Sequence, residues 1–393
     1  MTKHRAAAAL AIAVTAVLLV VVVAATAAPR QAKAPIKIGV DVSLTGGFAA
    51  LGLATKNGIV MRARQINAKG GVNGRKIQLT ILDDGTNPAN AISNANRLID
   101  GGADAIIGFN GGLTQVPASG PAIRANVLTV ALSGANAGQT GGPAYFWASP
   151  TLATHVAAIG CYITKVSKPK KVGILATNDA GAQGMKNGLS DLLDKASISV
   201  ASETVPLGAS DVTVAVSKIR DSNPSLVFNT GVGATGGLIA KTVRDIGMKG
   251  PIMGWLSWQQ APVLKLYQSA LNGVVMEGFI SQKDPLPHQV TFVNTWVKNY
   301  PAVPVDSYGA WGYDSVTAIG EAFRAVPNAT QKDGVKLGQA LEKATFHGVV
   351  GSWKLGAYDA NNPEVHTGMH SADVVWLYVQ NGDLRKLKVQ PNC

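Results

Sequence analysis

The chain has 393 residues, of which 47% are hydrophobic and 15% charged, with 44 glycines and a formal net charge of +12. At roughly 150 residues per domain this is two domains or three, and so little charge excludes disorder and coiled coil, which need far more. Two cysteines are too few for a disulfide-built scaffold and cannot by themselves fill a four-cysteine zinc site.

Lys3, His4 and Arg5 precede an apolar and small run over residues 6–28, which ends in Ala25-Thr26-Ala27-Ala28. That order reads as a secretory signal over 1–28. The alternative is an uncleaved anchor, since about 23 such residues also span a bilayer. No cysteine closes the segment, so no lipoprotein attachment is expected, and the expected location is the periplasm. Without Lys3 and Arg5, and with no acid lost, the charge falls from +12 to +10. The remaining basic residues are scattered. Their densest run, 165–171, lacks the interleaved aromatics or motif of a nucleic-acid surface and reads as a solvated face, so no nucleic-acid partner is expected.

From residue 36 onward, strands alternate with helices. Strands are expected at 36–42, 76–83, 105–108 and 127–132, with helices at 54–68, 88–100 and 116–125 between and after them. A second set follows, with strands at 171–176, 198–205, 226–229 and 251–254 and helices at 152–166, 183–195, 211–221 and 236–247. Strands alternating with helices of this length give parallel sheets covered on both faces, so the fold class is α/β with two doubly wound lobes. The tail departs from alternation: strands at 274–280, 348–355 and 374–379, and helices at 290–300, 308–325 and 337–344. A chain that returns to the first lobe after residue 285 crosses between lobes more than once, which makes a hinge. The expected division is a signal at 1–28, lobe 1 at 29–150, lobe 2 at 151–276, a return to lobe 1 at 277–352, and a hinge strand with the lobe 2 tail at 353–393.

No catalytic constellation stands out. Gly-x-Ser-x-Gly, Gly-x-Gly-x-x-Gly after the first strand and the P-loop pattern are all missing, and the histidines have no metal-ligand spacing. Asp83-Asp84 sit side by side on a strand, where neighbours face opposite ways, so they read as a turn cap and a solvated side chain. No catalytic residue, metal or cofactor is therefore assigned.

Ile36-Lys37-Ile38-Gly39-Val40, Leu44-Thr45-Gly46 and the stretch from Ile66-Asn67-Ala68 to Gly74-Arg75-Lys76-Ile77 occur in order. They are followed by Asp83-Asp84, Ile106-Ile107-Gly108 and Gln115 with Pro117-Ala118. Together they resemble the branched-chain amino-acid-type (Leu/Ile/Val-binding) periplasmic binding proteins of ABC importers, over residues 36 to about 390. The resemblance implies a type I periplasmic binding fold with three hinge strands. It also implies a monomer that closes on a small solute and delivers it to an ABC permease, with no chemistry at the site. A ligand-sensing receptor subunit of the same fold is the alternative, and a hydrolase the remaining one.

The resemblance further places the ligand's carboxylate on turns after the third and fourth strands. Here these are Asn110, Gly112, Leu113 and Thr114, then Ser133, Gly134 and Ala135, where the family's hydroxyls are lost at Leu113 and Ala135. In the second lobe Gly181 and Val232 stand where the family has rings, and Leu256 stands where it has the acid for an α-ammonium. Phe48, Leu51, Trp255 and Trp258 would supply an apolar and aromatic wall. For Trp255 a ligand-wall role and a core role remain open. The expected solute is therefore a carboxylate-bearing aromatic or apolar acid, with an amino acid as runner-up. Cys161 and Cys393 are a candidate disulfide in an oxidising compartment, against two free thiols.

Overall fold

In the computed structural model the described residues are 33–134 and 141–391, without the side chains of Trp258, Ala261, Pro363 and Glu364. The expected signal segment, Ala135 and Cys393 lie outside them. The first sheet is built from β1 (Ile36–Val42), α1 (Ala49–Ala68), β2 (Ile77–Asp83), α2 (Pro88–Asp100), β3 (Ala105–Gly108), α3 (Gly112–Ala125), β4 (Leu128–Ala131) and β5 (Tyr145–Trp147). Its strands run parallel in the order β2-β1-β3-β4-β5. Every residue of β3 and β4 is buried, as expected of strands with helices on both faces.

The chain then passes through α4 (Leu152–Cys161) and a π-helical turn (Tyr162–Ser167) into the second sheet. That sheet takes β6 (Lys171–Thr177), α5 (Ala180–Lys195), β7 (Ser199–Val205), α6 (Thr213–Asp221), β8 (Leu226–Asn229), α7 (Gly233–Asp245) and β9 (Ile252–Gly254). Two short helices, α8 (Ala261–Leu266) and α9 (Gln268–Leu271), lead to β10 (Val275–Gly278). Helices α10 (Val290–Asn299), α11 (Ser307–Ala325) and α12 (Gly334–Lys343) follow, then a hairpin of β11 (Thr345–His347) and β12 (Ser352–Lys354). The chain ends with β13 (Val375–Gln380) and β14 (Asp383–Lys386), and the second sheet has the order β14-β13-β10-β9-β8-β6-β7 with β13 antiparallel to both neighbours.

Helix α11 returns to the first sheet and lies against α1. The approach is close because glycines meet there: a Cβ on Gly58 would stand 1.9 Å from the Gly309 carbonyl oxygen, and one on Gly312 2.4 Å from that of Thr55. The return to the first sheet also lasts longer than expected. Trp353, Leu355 and Met369 belong to the same apolar core as β1 and α11, and Thr367 bridges to Trp147 at the sheet edge. The division at residue 353 is thus corrected: the crossing back comes just before β13, because these apolar side chains find their partners in the first core.

Several helices begin earlier than their expected starts. Helix α1 starts at Ala49 rather than 54, α3 at Gly112 rather than 116 and α7 at Gly233 rather than 236, and none of these three has a side-chain cap. With no Ser, Thr, Asp or Asn in the capping position, the usual start signal is missing. The Asp83-Asp84 pair divides otherwise than expected. Asp83 is the exposed member and accepts from Leu44 N, Gly85 N and the Thr45 hydroxyl, while Asp84 is buried on the Ser43 hydroxyl and Thr86 N.

Candidate functional site

A cleft with about 560 Å³ of empty space, part of it open solvent, lies between the two sheets. Its wall comes from turns at the carboxyl ends of parallel strands, where doubly wound sheets place their ligands. From the first lobe it takes Gly111 and Gly112 after β3, Leu132, Ser133 and Gly134 after β4, and Phe48 and Leu51 at the start of α1. The second lobe contributes His155 on α4, Asp179 and Gly181 at the start of α5, Val232 at the start of α7, and Trp255 and Leu256 after β9. Tyr308 and Trp311 reach it from the first turns of α11. Among the described residues, no lysine or arginine lines it.

The first-lobe wall is a donor surface. The amides of Gly112 and Leu113 open α3 ahead of its first intrahelical bonds and have no protein partner among the described residues. They stand at the positive end of the helix dipole, which favours an anion there. Gln115 ties this helix start to the next turn, since its Oε1 accepts from Ser133 N at 2.9 Å and its Nε2 donates to the Gly134 carbonyl at 3.3 Å.

The second-lobe wall is apolar and acidic. The Trp255 ring is half-buried, meets His155 edge to face at 5.8 Å, and has a buried indole N–H without a partner among the described residues. Asp179 caps α5: its Oδ1 accepts from Ala182 N and its Oδ2 from the Thr177 hydroxyl. Behind His155, whose Nδ1 lies 2.8 Å from Glu277 Oε1, the Glu277 side chain is fully buried. The contact is close without being aligned as a hydrogen bond. Burial first, then the carboxylates of Asp306, Asp179 and Glu277, push the Tyr308 phenol well above its ordinary range. Asp306 is itself pushed up to about 7 by burial.

Of the residues expected from sequence, Phe48, Leu51, Gly112, Ser133, Gly134, Gly181, Val232, Trp255 and Leu256 line the cavity. Asn110 and Thr114 do not: Asn110, buried just before α3, donates to the Thr55 hydroxyl, and the Thr114 hydroxyl, buried in the first turn of α3, turns back to the Asn110 carbonyl. Leu113 points instead into a cluster that joins the lobes beside the cavity, with Phe48, Ala176, Ala182 and Val232. Trp258 follows Leu256 in a 3-10 turn, and its side chain, like Ala135, lies outside the described residues. Tyr145, Phe146 and Trp147 are core residues of β5. Cys161 is disulfide-bonded, whereas Cys393 is outside the described part.

Sequence reasoning missed His155, Asp179, Tyr308 and Trp311. Asp179 is an acid on the cavity wall, at a position other than Leu256. A cap signal, Asp before a helical run, was there to be read; nothing local marked the other three.

A family model for periplasmic binding proteins matches residues 35–375. The chain belongs to that family. Its members bind solutes and are not enzymes. Leu/Ile/Val-binding protein homolog 3 of Brucella melitensis is 28% identical over 226 residues, which is 57% of this chain and 61% of the relative. The chain thus spans about six tenths of that relative's length. Two solved structures share the fold of this periplasmic binding protein. A branched-chain amino acid transporter substrate-binding protein of Streptococcus pneumoniae, in complex with isoleucine, aligns with a TM-score of 0.79 at 21% identity and covers 91% of this chain and 100% of that one. A solute-binding protein of an ABC transporter from R. palustris, in complex with benzoate, aligns at 0.77 and 19%, covering 90% and 95%.

Proposed function

We propose that the protein is an exported, monomeric solute-binding subunit that delivers a small carboxylate-bearing solute to an ABC permease. The observation that carries this reading is the pairing of two unlike walls in one interlobe cavity. On one side stands the helix start at Gly112, whose amide has no partner among the described residues, with the Ser133 turn, and on the other the apolar surfaces of Val232, Trp255 and Leu256. A carboxylate at the helix start and a hydrocarbon or aromatic body against the far wall satisfy both. Burying the solute between the lobes favours the closed arrangement.

An α-amino acid is the second reading, favoured by Asp179 on the cavity wall, whose carboxylate can face an ammonium. The relatives' own solutes support both classes, since one structural neighbour holds isoleucine and another benzoate. A thermal-shift screen of aromatic acids, aliphatic acids and amino acids separates the two readings. A ligand present at a hundredfold over Kd adds about 2.7 kcal/mol to stability. Small-angle scattering of the binding-competent protein should then show compaction with the ligand found. If no carboxylate shifts the transition, or the particle dimensions stay the same, the proposal fails.

A further inference from the structure

The cavity wall has a helix start suited to an anion but, among the described residues, no lysine or arginine, and Asp179 lines the same space. Among the described residues on this wall, the side chain able to carry a positive charge is His155. It is built into place. Its ring is held edge-on by Trp255 at 5.8 Å and Phe279 at 6.3 Å, and its Nδ1 is turned to Glu277 at 2.8 Å. Glu277 sits in β10 with no exposed side-chain surface, and its carboxylate has no hydrogen-bond donor among the described residues. A carboxylate removed from water in this way is strongly unfavourable unless an opposite charge stands beside it, and the imidazole is that neighbour.

We propose that His155 is the cation of the solute site: as an imidazolium with Nδ1 facing Glu277, it offers its Nε2–H to the solute's carboxylate, and Glu277 is the positioning residue that holds it there. The assignment rests on the carboxylate reading of the cleft. It supplies a donor in place of the hydroxyl missing at Leu113 and the Thr114 hydroxyl that turns inward. Because His155 belongs to α4 of the second lobe while the amides of Gly112 and Leu113 belong to the first, a carboxylate held by both links the lobes through one charge. Glu277 from β10 faces the ring, and Asp179 from the start of α5 and Tyr308 from α11 line the same cavity. Beyond them lie Asp306 at the cap of α11 and Asp373 in the 3-10 turn that packs on α4. That turn is capped by the exposed His370; the other groups are acids or a phenol, so among the described residues of the cavity wall His155 is the one that can become positive.

The test uses the full mature chain. The ring nitrogens of His155, recognised in 15N spectra by their loss in His155→Gln, should show the imidazolium pattern at about pH 7; a neutral tautomer there overturns the assignment. Binding of benzoate and 4-methylpentanoate, measured by calorimetry from about pH 5.5 to pH 9, should weaken as imidazole loses its proton. In His155→Gln, binding of the same probes should be about tenfold or more weaker with a flat pH profile, the loss of one charge-assisted hydrogen bond. In Glu277→Gln the fall in affinity should begin at lower pH, which a merely structural role would not produce; an unshifted profile removes Glu277 from the site. If Glu277→Gln does not fold, the wild-type spectrum decides. Acids that bind wild type and His155→Gln equally, to within about twofold, would refute the role of His155 and leave the carboxylate reading standing. Failure of every carboxylate on wild type would refute that reading itself.

Discussion

Asp306 caps α11 with its Oδ1, which accepts from Gly309 N at 2.8 Å, and only 3% of the residue is exposed. Burial pushes its carboxyl from 3.8 up to about 7. The folded state therefore keeps a proton that the unfolded chain releases. Asp306's contribution to stability is full below about pH 4 and is lost as pH rises to about 7. At 1.36 kcal/mol per pH unit the whole span is worth about 4 kcal/mol, and the part between pH 5 and pH 7 about 3 kcal/mol. Asparagine caps helices about as well as aspartate and does not titrate. Asp306→Asn should therefore gain on wild type by about 3 kcal/mol between pH 5 and pH 8, read from paired urea unfolding curves. Asp314, also pushed up to about 7 by burial, is the control. Its two oxygens accept from Val349 N and Val350 N, so an amide there sets a donor against a donor and Asp314→Asn should destabilise at either pH. A difference between Asp306→Asn and wild type that is the same at both pH values, or that moves the other way, would refute the reasoning.

Trp255→Ala should weaken binding of the solute found in the screen by roughly 1–3 kcal/mol, and an unchanged Kd by calorimetry would return the ring to the core. Gly111→Ala should lower stability by roughly 1–3 kcal/mol in thermal unfolding. Gly111 has φ 79° and ψ 154°, a conformation essentially reserved for glycine, and an added Cβ would stand 2.6 Å from the buried Phe48 ring; wild-type stability would mean that this turn relaxes freely. Pairing of Cys161 with Cys393 predicts no reactive thiol in the unfolded, unreduced chain, and finding two would contradict it.

Much of the fold was legible because its signals are local. Continuous apolar runs such as Ala105–Gly108 and 226–228 mark strands buried on both faces, and Asn87 with Pro88 marks a helix start through a side-chain cap. These determine the alternation of strand and helix, and with it two parallel sheets. The ends of α1, α3 and α7 were not legible, since glycine and bare backbone replace the cap there, and these are the ends that face the cleft. The turn of Asn110 and Thr114 looked from sequence like a ligand-binding loop. Only its folding beside a buried helix start decided that the backbone at Gly111 and Gly112, and not those side chains, meets the cavity. Tertiary structure alone brought His155 to Glu277 across two elements, and Tyr308 and Trp311 to the turns of both lobes. The reason is geometric: each of these residues is ordinary within its own segment, and the cleft exists only where the ends of segments distant in sequence converge between two sheets.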